Sequence, residues 1–136
     1  METAVSISWL AVIVAAVVKF LIGWGWYSQM AFGKQWQQLS KTTPEMLQAG
    51  MMPALVAEAI GDLIMAYILA RFVAHYGDFG LGGGLLIGFM AWLGFVAPVM
   101  ANQIFYERKP QELVAINLGY MLVSLLVMGA ILGIWH

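Results

Sequence analysis

Long apolar stretches alternate with polar breaks along the chain. The apolar stretches run roughly from Ile7 to Phe32, Met52 to Val73, Leu81 to Ile104 and Leu113 to Trp135. Each reaches the ~20 residues that carry an α-helix across a hydrocarbon core of ~30 Å. The ~10-residue segments of alternating polarity that mark a membrane β-barrel are missing. The pattern predicts an all-α fold, a four-transmembrane-helix bundle forming a single membrane domain over residues 1–136. The first break, "GKQWQQLSKTTPEMLQAG", holds most of the water-soluble polarity. Thr42 and Glu45 have capping-box spacing, Pro44 suits a first helical turn and Gly50 can close one. A short interfacial helix is therefore expected between helices one and two, roughly Pro44 to Ala49. The second break, "HYGDFGLGGG", reads as a tight glycine-rich turn, and the third, "YERKPQE", as a short charged loop.

Composition places this pattern in a bilayer. Hydrophobic residues make up 62% of the chain and charged residues 10%, against about 25% charged in a soluble domain. The formal net charge of −1 supplies no basic field for nucleic acid. Without cysteine there is no disulfide and no thiolate metal site. The opening "METAVSISWL" has an acid where a signal peptide has lysines, so the first stretch is expected to stay as an anchor. Lys34, Lys41, Arg108 and Lys109 fall in the first and third breaks, which predicts those breaks on the cytoplasmic side and both termini outside. Trp9 and Trp135 would then mark the outer interface, and Trp26, Tyr27, Trp36 and Tyr106 the inner one.

Charge inside the spans changes the picture. Lys19 lies in the first span, Glu58 and Asp62 in the second. At 1.5 Å per residue, Lys19 is about 20 Å from the inner end of its span, Asp62 about 16 Å and Glu58 about 10 Å. Each such charge costs ~2.5–3.5 kcal/mol at a helix centre, so pairing between helices is expected. Glu58 and Asp62 are spaced i, i+4 and share a face. Ala11, Ala15, Lys19, Gly23 and Tyr27 form an i, i+4 ladder whose small members let a neighbour approach. Lys19 should therefore face Asp62, with Glu58 sharing the site. Two carboxylates against one ammonium leave a negative charge, which a proton or a bound cation would balance. The plainer reading is an ion pair that holds spans one and two in register.

Other polar residues are sparser. Pro98 interrupts the third span and predicts a kink that frees the carbonyl of Gly94. Asn102 lies one turn below it, and Asn117, Tyr120 and Ser124 share roughly one face of the fourth span. These four would line a polar inner vestibule, or else simply hydrogen-bond between helices. Gly84 and Gly88, and Gly129 and Gly133, have the spacing of close helix contacts, from which a homodimer is one expectation. His75 and His136 have no ligand-spaced companion, so no metal or other cofactor is expected.

Three stretches, "GWYSQMAFGKQW", "GFVAPVMANQIFYERKP" and "INLGYMLVSLLVMGAILGIW", together with "LIMAYILA", resemble the small bacterial membrane proteins grouped as domain of unknown function 1761. The resemblance implies a four-helix, multi-pass protein of the bacterial cytoplasmic (inner) membrane, and no activity. Gln29 stands where that family usually has proline. The expected function is non-enzymatic: binding or moving a small amphiphile or cation through Lys19, Glu58 and Asp62. Small four-helix exporters of lipophilic cations, dimers with a membrane-embedded carboxylate, are an analogy of size only. The competing expectation is a structural or accessory subunit that packs on a larger complex or on lipid.

Overall fold

A computed structural model describes residues 7–76 and 80–135. Residues 1–6 and His136 lie outside the described residues, as do residues 77–79 of the expected glycine-rich turn. The described residues form α1 (Trp9–Trp26), α2 (Gly33–Ser40), α3 (Pro44–Tyr76), α4 (Leu81–Ala91), α5 (Ala97–Phe105) and α6 (Gln111–Ile134). A π-helical turn, Trp92–Val96, joins α4 to α5. The four helical rods Trp9–Trp26, Pro44–His75, Leu81–Phe105 and Gln111–Ile134 are long and apolar enough to cross a membrane.

Helix α1 starts at Ser8, whose hydroxyl accepts from the Ala11 N–H at 3.2 Å. It ends at Trp26, short of the expected Phe32, because the backbone finds other partners there. The Ser28 hydroxyl donates to the Gly25 carbonyl at 2.7 Å, and the Gly33 N–H donates to the Ser28 carbonyl at 2.8 Å. Such local bonds compete with helix continuation. Only glycine fits at Gly33, where a Cβ would sit 2.7 Å from the Ser28 carbonyl oxygen. Helix α2 follows and ends at Lys41 in the left-handed region, φ 58°, with the Thr42 N–H bonded back to Gln37.

The short helix between the first two spans is therefore Gly33–Ser40. Pro44–Ala49 is instead the first part of α3, which runs through Gly50 and Pro53 without a break. Its cap is Thr43, whose hydroxyl accepts from the Met46 N–H at 3.1 Å, while Thr42 pairs with Ser40. A proline at the first helical position puts the capping residue immediately before it. Gly50 does not terminate the helix. A helical glycine costs only about 1 kcal/mol, and Leu47, Met51 and Ala54 around it face a common cavity wall.

Helices α1, α3 and α6 meet around Ala11, Val12, Ala15, Ala66, Val73 and Met128. Helix α4 packs antiparallel on α6 with almost no side chain between them. A Cβ on Gly84 would strike the Gly129 carbonyl oxygen, one on Gly88 that of Leu125, and one on Gly133 that of Gly80. Both glycine pairs thus close a contact within the chain. The irregularity of the third span is the π turn just before Pro98, where a wider turn relieves the clash between the proline ring and the preceding carbonyls. Trp92 Nε1 donates to the Leu118 carbonyl at 3.0 Å and ties that turn to α6. Outward-facing positions stay apolar, among them Val17, Leu21, Ile60, Ile64, Phe95 and Val99.

Candidate functional site

Lys19 is 3% exposed, and its ammonium is fully engaged. Nζ donates to Asp62 Oδ1 at 2.7 Å, to Glu58 Oε2 at 3.0 Å and to the Tyr120 hydroxyl at 2.8 Å. These bonds use all the protons that a lysine can donate. The Tyr120 hydroxyl in turn donates to Glu58 Oε2 at 3.0 Å. Three helices therefore meet on one nitrogen. The placement follows from local sequence. Small residues flank Lys19 on its face of α1. Gly23, one turn on, leaves room for the Tyr120 hydroxyl, which would lie 2.8 Å from a Cβ at that position. The i, i+4 spacing of the acids on α3 turns both toward the same nitrogen.

The acids differ in environment. The Asp62 side chain is 3% exposed and that of Glu58 41%. Asp62 Oδ2 and the hydroxyl of Ser124 are buried with no hydrogen-bond partner among the described residues. Beyond Tyr120, the Tyr27 hydroxyl donates to Asn117 Oδ1 at 2.6 Å, and the Tyr27 ring meets the Tyr120 ring edge-on at 5.3 Å. Trp36 of α2 packs edge-on against Tyr27 at 5.9 Å. Trp26 Nε1 donates to the Ile116 carbonyl at 3.1 Å and anchors the end of α1 to α6.

Glu58 opens onto a half-open cavity of about 510 Å³ at the α2 end of the bundle, walled by Phe20, Trp24, Tyr27, Trp36 and Tyr120. On the other side of Lys19 the space is filled by Ala11, Val12, Ala15, Ala66 and Met128. Glu58 thus borders the pocket, while Lys19 and Asp62 lie behind it in the packed interior.

Of the vestibule residues named from sequence, Tyr120 joins the charges and Asn117 pairs with Tyr27. Ser124 lies buried one turn further along α6, and Asn102 is exposed on α5. They do not form one lining. Sequence reasoning missed Tyr120 as the third partner of Lys19 and missed the aromatic wall from α2. The only signal for the wall was the run of aromatic residues from Trp24 to Trp36 beside the charged span. Tyr120→Phe is expected to cost about 1–3 kcal/mol, since it removes one acceptor from a buried ammonium and one donor from Glu58. Thermal unfolding in detergent measures this, and an unchanged midpoint would show that the hydroxyl adds nothing to the clamp.

Fold and site define an all-α bundle of four helices long enough to span a membrane, with a lysine clamped between acids in its interior. Residues 10–133 match the protein family described as protein of unknown function (DUF1761), and the chain belongs to that family. No curated protein and no solved structure matches the chain.

Proposed function

We propose that the chain is an integral membrane protein that binds, and through that binding moves, a small amphiphile or cation at Glu58, Asp62 and Lys19, without catalysing a reaction. The observation that carries this reading is the aromatic cavity ending on Glu58, which is itself bonded to a buried lysine. A clamp that served only register needs no open space beside it. Cavities of roughly 300–1,000 Å³ with a few polar groups at the base are the usual form of small-molecule sites.

A ligand that binds the folded state raises stability by about 2.7 kcal/mol at a hundred times its dissociation constant. Melting of the purified protein against a panel of small amphiphiles and organic cations should therefore yield at least one stabilising compound. Its effect should vanish when Ala54→Trp fills the cavity. The accessory-subunit reading draws on a different observation, the exposed apolar side chains Leu86, Phe89, Leu93 and Phe95 along the third rod. A panel without any stabilising compound, together with a stable co-purifying partner, would favour it.

Lys34, Lys41, Arg108 and Lys109 gather at the end where the cavity opens, which supports a cytoplasmic opening and outer termini. A reporter fused after His136 should be active only outside. Activity on the cytoplasmic side would invert the orientation.

A further inference from the structure

We propose that the occupant of the cavity is a free organic monocation with an apolar or aromatic substituent, and that Glu58 is its counter-ion. This rests on the small-ligand reading above and names the ligand class. Lys19 is buried and its donors are spent on Asp62, Glu58 and Tyr120, so its charge is withheld from the cavity. Among the described residues Glu58 is the one charged residue in the cavity wall, and its side chain is 41% exposed. Lys19 and Tyr120, among the described residues, both donate to its Oε2. The cluster holds two carboxyls against one ammonium, so a single further positive charge completes it.

The rest of the wall selects among cations. Trp24, Trp36, Tyr27 and Phe20 present rings to the cavity, and ring faces attract an organic ammonium that has left water. A bare divalent ion would need several oxygen ligands, and these walls provide one carboxylate and a few hydroxyl and amide groups. An anion would face Glu58. A neutral amphiphile would cover a carboxylate without balancing its charge. The cavity volume of about 510 Å³ suits a small organic ion.

The test is calorimetric titration of the full chain in a neutral maltoside detergent with benzyltrimethylammonium and with neopentylbenzene, its uncharged carbon isostere. The cation should bind, the isostere should bind at least about tenfold more weakly, and Glu58→Gln should weaken the cation by about tenfold or more. Trp24→Leu, at a cavity-wall side chain that is 75% exposed, should weaken it several-fold with little change in melting temperature. That variant keeps the proposal testable should Glu58→Gln fail to fold. Equal binding of cation and isostere, indifferent to Glu58→Gln, would overturn the counter-ion role and leave an amphiphile site standing. Abolition of cation binding by an equal concentration of dihexanoyl phosphatidylcholine would assign the cavity to a lipid headgroup and overturn the free-cation occupant. Failure of both probes and of the whole melting panel would remove the binding function itself.

Discussion

Gly84→Ala should destabilise the protein by about 3 kcal/mol or more, far beyond what one methyl group does in an open site. The added carbon would meet the carbonyl of Gly129, a rigid backbone group in the last third of α6. Rotamer change cannot relieve that contact, so α4 must lift from α6 along its length. The close contacts of Gly88 with Leu125 and of Gly133 with Gly80 would open with it. Gly82→Ala is the matched control, because a Cβ there meets nothing within 4 Å. It should be neutral or stabilising by up to about 1 kcal/mol, since alanine loses less backbone freedom in a helix. Unfolding of both variants in detergent would check the pair. Equal midpoints would mean that α4 does not rest on α6 backbone to backbone.

Lys19→Met should cost about 3–5 kcal/mol, the range for removing one partner of a buried ion pair. Volume is nearly kept, so the loss is electrostatic. Asp62 is left buried without its cation, while Glu58 retains access to the cavity. Asp62→Asn should cost less, because the amide oxygen still accepts from Lys19 and Glu58 still neutralises it. The double variant Lys19→Met, Asp62→Leu should recover much of the loss, since well-packed apolar replacements of buried ion pairs are often neutral. Unfolding midpoints of the three variants would show this ordering. Small, equal shifts in the single variants would mean that Lys19 reaches water rather than its partners.

Length and continuity of the apolar runs carry the four spans, because bilayer thickness sets helix length more strictly than any soluble core does. Ends were less legible. The close of α1 depends on side-chain bonds of Ser28 and on a backbone approach at Gly33 that apolar counting does not register. Helix α3 passes through Gly50 and Pro53 although both are exposed, because a helical glycine costs only about 1 kcal/mol, too little to end a long rod. For the site, sequence supplies depth and face: Lys19 and Asp62 lie at similar depth with Glu58 one turn shallower, and their i, i+4 neighbours are small or acidic. It does not supply the order of helices around the bundle. Tyr120 therefore reads only as one member of a polar stripe with Asn117 and Ser124, although its hydroxyl bridges Lys19 and Glu58. The glycine pairs likewise look the same whether they meet within one chain or between two.

Solid-state NMR in bilayers addresses the clamp itself. With lysine labelled at Nζ and aspartate at Cγ, Asp62 and Asp78 are the aspartates that can couple. Adding Glu107→Gln removes the exposed pair at Lys109, 3.5 Å apart, so that glutamate labelling can follow in the same background. The account predicts a direct Lys19 to Asp62 dipolar coupling that Asp62→Asn abolishes, and a second coupling to Glu58 in the glutamate-labelled sample. A Lys19 ammonium that couples to neither acid and exchanges rapidly with water would contradict it.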